Sequence, residues 1–146
     1  MVPGTILFDP KFRFHDGKTG AKLFVVLNDG RGGSFVTVKA TSNDSRYSFV
    51  YGCQIVSRFP HFYLPLGSCC LTEHTWLCLD EFYEFDAGTL FQHVTDTRIN
   101  RIGVLPTNII LELLSCATSC EDISEAHVDE ILEVWRELKA RNCSNK

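Results

Sequence analysis

The chain has 146 residues, of which 45% are hydrophobic and 22% are charged, and its formal net charge is -4. This composition excludes a disordered chain and is typical of a globular domain with a sizeable core. An acidic chain does not attract a polyanion, so nucleic-acid binding would require a local basic patch. No apolar run approaches the ~18 residues of a membrane-spanning helix, which argues against an integral membrane protein.

The cysteine content is informative about the compartment. The seven cysteines are an odd number, and the opening residues 1–4 carry neither a basic segment nor an apolar segment of a secretory leader. We therefore expect reduced thiols and a cytoplasmic location.

The N-terminal part of the chain predicts short strands separated by turns. Residues 5–8 are β-prone, whereas residues 9–20 contain Pro, Asp and Gly, and we expect a long polar loop there. Residues 22–27 form a continuous apolar run, which is typical of a strand covered on both faces. Residues 34–41 alternate between the two faces of a strand and complete a β-hairpin across the glycine-rich segment 28–33.

The remaining elements predict a mainly β, α+β fold with helices at the C-terminal end. Further β-prone pieces lie at residues 48–56, 62–65, 75–79 and 82–85. Apolar residues then recur at helical spacing over residues 105–117 and again over 121–141. We expect one domain over residues 1–146, with a barrel and one helix in residues 2–117 and an additional helix in 121–141.

Five short motifs follow one another in a fixed order. They are Pro3-Gly4-Thr5-Ile6, the strand 22–27, Ala40-Thr41-Ser42, the Trp-containing segment 75–81 and Ile102-Gly103-Val104-Leu105. Together they resemble the PemK/MazF toxin family of type II toxin–antitoxin systems over residues 2–117. The resemblance implies a small SH3-like barrel of five to six short antiparallel strands that forms a homodimer. It also implies cleavage of single-stranded RNA without a metal or cofactor, and inhibition by an antitoxin.

Metal-free cleavage of RNA requires a base, an acid and a cation or hydrogen-bond donors for the charge that grows on the phosphate. The resemblance puts Lys22 where the family has an arginine, and it makes Thr41 a hydroxyl donor. The nearest candidates for acid and base are His15 and Asp16 in the expected loop and Asp86 after the last strand. We expect Lys22, Thr41 and Asp86 to converge on one concave surface beside that loop.

Three further residues are candidates for RNA binding. Ser42 follows Thr41 and supplies a second hydroxyl, and Arg13 belongs to the densest group of basic residues near the N-terminus. Tyr83 stands where the family has a second arginine, and it cannot stabilise an anion by charge. An active nuclease would therefore lack one of the family's cations.

Simpler interpretations stay open for these residues. Lys22 can be a strand-entry lysine with its head in water, and Thr41 can bond the backbone at a strand end. With the arginines missing, the alternative function is a protein-binding module that has lost nuclease chemistry. A zinc site is disfavoured, because no Cys-x-x-Cys pair occurs among its candidate ligands, which are Cys53, His61, Cys69, Cys70, His74 and Cys78.

Overall fold

A computed structural model describes residues 1–144 of the protein. Over these residues the chain forms one open antiparallel sheet of eight strands and three helices. The strands are β1 Thr5–Arg13, β2 Thr19–Val26, β3 Ser34–Thr41, β4 Gly52–Gln54, β5 His61–Leu64, β6 Thr75–Cys78, β7 Tyr83–Asp86 and β8 Asn100–Val104. The helices are α1 Ala87–Thr95, α2 Thr107–Thr118 and α3 Glu125–Ser144. The predicted mainly β, α+β class is confirmed, whereas the predicted number of five to six strands is too low.

The strand β3 organises the sheet. The strand order is β4-β5-β6-β3-β2-β1-β8, and β7 pairs with β3 outside this path. On the side of β3 away from β2, its first four residues pair with β7 and its last two, Ala40 and Thr41, pair with β6. Two different strands therefore pair with the same edge of β3, and Val38 and Lys39 lie in the gap between them.

The prediction of a long loop over residues 9–20 is wrong, because β1 and β2, the strands of the first hairpin, both continue into this segment. Asp9 lies opposite Lys22 and Phe12 opposite Gly20, with an irregularity in the register between them. A bulge at this point lets β1 pass Pro10, which has no N–H group to give to the ladder. Phe12 beyond the bulge is fully buried, and its burial stabilises the extended hairpin. Only residues 14–18 remain as the connection.

The sheet carries one hydrophobic cluster on each face. Along β2, the side chain of Val25 packs in the cluster that contains α2 and α3, whereas Phe24 and Val26 pack in the cluster that contains α1. This arrangement confirms the prediction that the apolar run 22–27 is covered on both faces. It also explains why this strand has no polar face.

The C-terminal elements agree with the sequence in kind but not in every boundary. The helix predicted for residues 105–117 is α2, and the one predicted for 121–141 is α3, which begins later and extends further. The Ser124 hydroxyl accepts a hydrogen bond from the His127 backbone N–H at 3.2 Å, as an N-cap does. The helix α1 and the strand β8 are additional elements. Residues 145–146, the end of the expected single domain, lie outside the described residues.

The expectation that all thiols are reduced is corrected by a disulfide between Cys53 and Cys116. Cys53 lies in the edge strand β4 and Cys116 in α2, and their Cα atoms are 5.6 Å apart. The sequence could not show this pairing, because 63 positions separate the two cysteines and only tertiary packing brings them together. None of the described helices has the length and apolar character that crossing a membrane requires.

Candidate functional site

A cleft of about 290 Å³ lies at the end of the β2–β3 pair, beside Ala40 and Thr41, which pair with β6. The two strands run antiparallel with Phe24 opposite Lys39, so Lys22 and Thr41 lie at the same end of the pair. Both side chains line this first cleft, together with Ser42 and Glu73. The structure therefore brings together the predicted cation and the two predicted hydroxyl donors.

Lys22 is half-buried and keeps its charge available. Its Nζ donates a hydrogen bond to the Ala40 carbonyl oxygen at 3.3 Å, and none of the carboxylates in residues 1–144 forms a salt bridge with it. The Thr41 hydroxyl accepts a hydrogen bond from the Asn43 backbone N–H at 3.1 Å. That bond leaves the Thr41 O–H group free to donate to a ligand.

A second cleft of about 210 Å³ adjoins the first. It shares Lys22, Thr41 and Asn43 with the first cleft and adds Lys39 and Arg46. The Lys39 ammonium is paired with Glu81 at 3.4 Å. The basic side chains that line the two clefts are Lys22, Lys39 and Arg46, and the acidic one is Glu73. With Lys39 neutralised by Glu81, Lys22 and Arg46 outweigh Glu73, so an acidic chain carries a weakly basic surface here. Local positive charge favours the binding of a polyanion.

His15 and Tyr83 form a separate group beside Lys39. Their rings stack with centroids 4.0 Å apart, and the Tyr83 hydroxyl donates to Glu81 at 2.7 Å. Burial and the neighbouring Glu81 carboxylate raise the pKa of Tyr83 above its ordinary value. Partial burial opposes ionisation of Glu81, but the Tyr83 hydrogen bond and the Lys39 charge hold its pKa below the ordinary value. Tyr83 is only 6% exposed and serves as a packing residue here.

The other candidates from the first hairpin lie outside both clefts. The Asp16 carboxylate accepts a hydrogen bond from the Lys18 backbone N–H at 2.9 Å, which closes the hairpin turn. Arg13 is exposed at the end of β1, where it pairs with Thr19. Neither residue contributes to the lining of the two clefts.

Asp86 does not join Lys22 and Thr41. It lies opposite Ser34 at the start of β3, whereas Thr41 ends that strand, so the strand rise separates the two positions by roughly 20 Å. Its carboxylate caps α1 by accepting a hydrogen bond from the Thr89 backbone N–H at 2.9 Å. This bond and a second one from the Thr89 hydroxyl hold the pKa of Asp86 below its ordinary value. Of the three residues that we expect to converge, only Lys22 and Thr41 therefore lie together.

Glu73 is the carboxylate in the first cleft that the sequence did not single out. It lies in the connection between β5 and β6, and its only signal in the sequence is its place in a polar segment just before the Trp76 strand. The Cys69 and Cys78 thiols supply no comparable group, because burial raises the pKa of both. Within residues 1–144, no three His, Cys, Asp or Glu side chains converge as metal ligands.

The first cleft therefore combines the Lys22 ammonium and the Glu73 carboxylate with the hydroxyls of Thr41, Ser42, Thr72 and Thr75. Cationic and hydroxyl donors can hold the non-bridging oxygens of a phosphodiester, and a carboxylate can accept a proton. No protein-family model matches the chain, and no curated protein matches its sequence. The geometry and charge of the two clefts thus provide the basis for a functional assignment.

Proposed function

We propose that this protein is a PemK/MazF-like toxin that binds single-stranded RNA in the first cleft and cleaves it without a metal. The observation that carries the proposal is that Lys22, Thr41 and Ser42 line one cleft. These are the positions at which the sequence motifs resemble the cation and hydroxyl donors of that family. The proposal includes an SH3-like arrangement of the strands, a homodimer, an antitoxin-like partner and a cytoplasmic location.

The chemical step uses three groups of the cleft. The Glu73 carboxylate takes the proton of the ribose 2′-hydroxyl, whose oxygen attacks the adjacent phosphorus. The bond from phosphorus to the 5′-oxygen breaks, and that oxygen takes up a proton from solvent. Lys22, with the Thr41 hydroxyl, stabilises the negative charge that develops on the non-bridging oxygens. The products are a 2′,3′-cyclic phosphate and a free 5′-hydroxyl.

The test is incubation of purified protein with mixed-sequence RNA in excess chelator, followed by analysis of the ends. We expect cyclic phosphates from the wild type. Lys22→Gln removes a charge that is needed chiefly in the transition state, and we expect a rate lower by about 100-fold or more. Glu73→Gln removes the base, with an expected loss of about 100-fold or more. Lys18→Gln, in the hairpin turn outside both clefts, is the matched control and should retain full activity.

Intact RNA at micromolar wild-type protein would contradict this proposal. The second candidate would then apply, which is a protein-binding module on the same fold without nuclease chemistry. A specific observation favours it, namely that His15, Asp16 and Asp86 all serve structural hydrogen bonds or packing. This candidate predicts no growth arrest on expression, and a complex or self-association that light scattering detects.

The cytoplasmic part of the proposal has its own test. Disulfides form and persist in oxidising compartments, and cytosolic thiols are held reduced. We therefore expect alkylation of intact cells before lysis to label the exposed Cys53 when the protein is in a reducing cytoplasm. Protection of Cys53 from the reagent would contradict that location.

A further inference from the structure

Arg46 and Arg58 both lie against the ring of Phe59. The guanidinium carbons are 5.0 Å and 5.4 Å from the ring centroid. Both arginines are exposed and Phe59 is half-buried. The aromatic ring attracts each cation through its quadrupole and so holds two like charges at one place.

Neither arginine of this pair has a carboxylate partner in the part of the chain that the structure describes. Two other arginines of the protein, in contrast, are neutralised by carboxylates. Arg31 is in salt bridges with Asp29, Glu133 and Glu137, and Arg98 is paired with Asp96. The Arg46 and Arg58 guanidinium groups thus keep their planar forks of N–H donors free for an anion. Forks of this kind match the geometry of a phosphate, which they can bind through two hydrogen bonds.

The pair is continuous with the clefts at the end of β3. Arg46 lines the second cleft, and Lys22 lines both clefts. A line of positive charge therefore runs from Lys22 past Arg46 to Phe59 and Arg58. The second cleft has a volume of about 210 Å³. Its size and its row of cations fit the backbone of a single strand.

We infer that Arg46 and Arg58, held by Phe59, form a second phosphate-binding site that continues the path of a single-stranded RNA beyond the first cleft. The inference rests on the proposed function in that the same strand occupies both sites. The site binds RNA and performs no chemistry. The Phe59 ring fixes the two side chains before the ligand arrives, so less rotamer freedom is lost on binding.

The test is equilibrium binding of a fluorescent RNA of about ten nucleotides, within the site sizes of single-strand-binding folds. The probe carries 2′-O-methyl groups so that it keeps the RNA backbone but cannot be cleaved, and anisotropy is measured over a series of salt concentrations. We expect the double variant Arg46→Gln with Arg58→Gln to bind about ten-fold more weakly at low salt. The slope of log affinity against log salt should become shallower by about 1.4, which corresponds to two phosphate contacts on a single strand.

Matched variants separate this site from general effects of charge and folding. Arg136→Gln, on the exposed side of α3, removes one charge elsewhere and should leave affinity and slope unchanged. Substitution of both arginines by lysine keeps the charge but removes the planar pairs of guanidinium N–H donors, and we expect an affinity between those of the wild type and the double Gln variant. Phe59→Leu should weaken binding without removing a charge. Circular dichroism melting of each variant confirms that the fold is retained.

The outcomes distinguish this inference from the proposed function. Unchanged affinity and slope in the folded double variant would overturn the inference, even if the wild type cleaves RNA. A ten-fold loss in the double variant supports the inference, even if no RNA is cleaved and the nuclease proposal fails. The double variant is also tested with a poly-glutamate peptide and with duplex DNA. If its affinity for either of these falls as much as its affinity for the RNA, the assignment to single-stranded RNA is overturned.

Discussion

At the scale of single residues, the Pro-Gly motif near the N-terminus has a structural cause. Gly4 has a φ of +87°, a conformation that residues with a side chain rarely adopt. A Cβ atom placed on it would lie 2.5 Å from the Ile110 side chain in α2. Its backbone N–H donates to the Val26 carbonyl at 2.7 Å, and its own carbonyl accepts from Leu105 at 3.0 Å. The glycine lets the chain pass close between β2 and α2.

Gly4→Ala is therefore expected to destabilise the protein strongly. Backbone strain and overpacking against Ile110 together should lower the free energy of unfolding by about 3 kcal/mol. The control is Gly17→Ala, because Gly17 has a similar φ of +85° but no atom within 4 Å of the added Cβ. That variant should lose only about 1 kcal/mol through backbone strain. Urea unfolding measures both, and equal losses would show that the contact with Ile110 is unimportant.

At the scale of elements, α3 is held by one apolar side and by polar contacts at its rim. Ile131 is fully buried in the cluster shared by the sheet and α2, and Val134 is 3% exposed. The Trp135 indole N–H donates to the Leu111 carbonyl in α2 at 3.2 Å. On the exposed side, Arg31 from the β2–β3 connection contacts Glu137. The helix is thus docked on α2 along a narrow stripe.

Ile131→Ala should weaken the packing of α3 on α2, because it removes a fully buried side chain from the middle of the stripe. We expect the free energy of unfolding to fall by about 2 to 5 kcal/mol. Leu132→Ala is the matched control, because Leu132 is adjacent and only partly buried, so its loss should be about 1 kcal/mol or less. The two variants are compared by urea unfolding. Similar losses would mean that the helix does not pack through Ile131.

At the scale of the whole molecule, the Cys53–Cys116 disulfide ties the edge strand β4 to α2 across 63 positions of sequence. A cross-link over a long segment reduces the freedom of the unfolded chain. By the chain-entropy model, reducing this bond should lower the free energy of unfolding by about 4 kcal/mol. Urea unfolding with and without a reductant measures the difference.

Two variants test the origin of that loss. Cys53→Ser should reproduce the effect of the reductant and make the protein insensitive to it. Cys143→Ser changes an exposed free cysteine near the end of α3 and should leave the unfolding transition where it is. If the reductant does not move the wild-type transition, the two cysteines are not joined in the protein.

The sequence by itself determined the elements whose pattern is local. The apolar run 22–27, the alternating strand 34–41 and the helices expected over 105–117 and 121–141 follow from the sequence, because their apolar residues recur with the period of the element. It also placed Lys22 and Thr41 at neighbouring ends of two antiparallel strands, since a hairpin fixes which ends meet.

Only the tertiary structure decided the features that depend on distant contacts. The first hairpin continues past Pro10 because burial of Phe12 outweighs the turn signals around it. Asp86 stays away from Thr41 because β7 pairs with the far end of β3, and no local pattern reports that pairing. Glu73 enters the first cleft, and Arg46 meets Arg58 on Phe59, through packing of loop segments that show no periodic sequence pattern. Local periodicity reports which face of an element is buried, but not which other elements cover it.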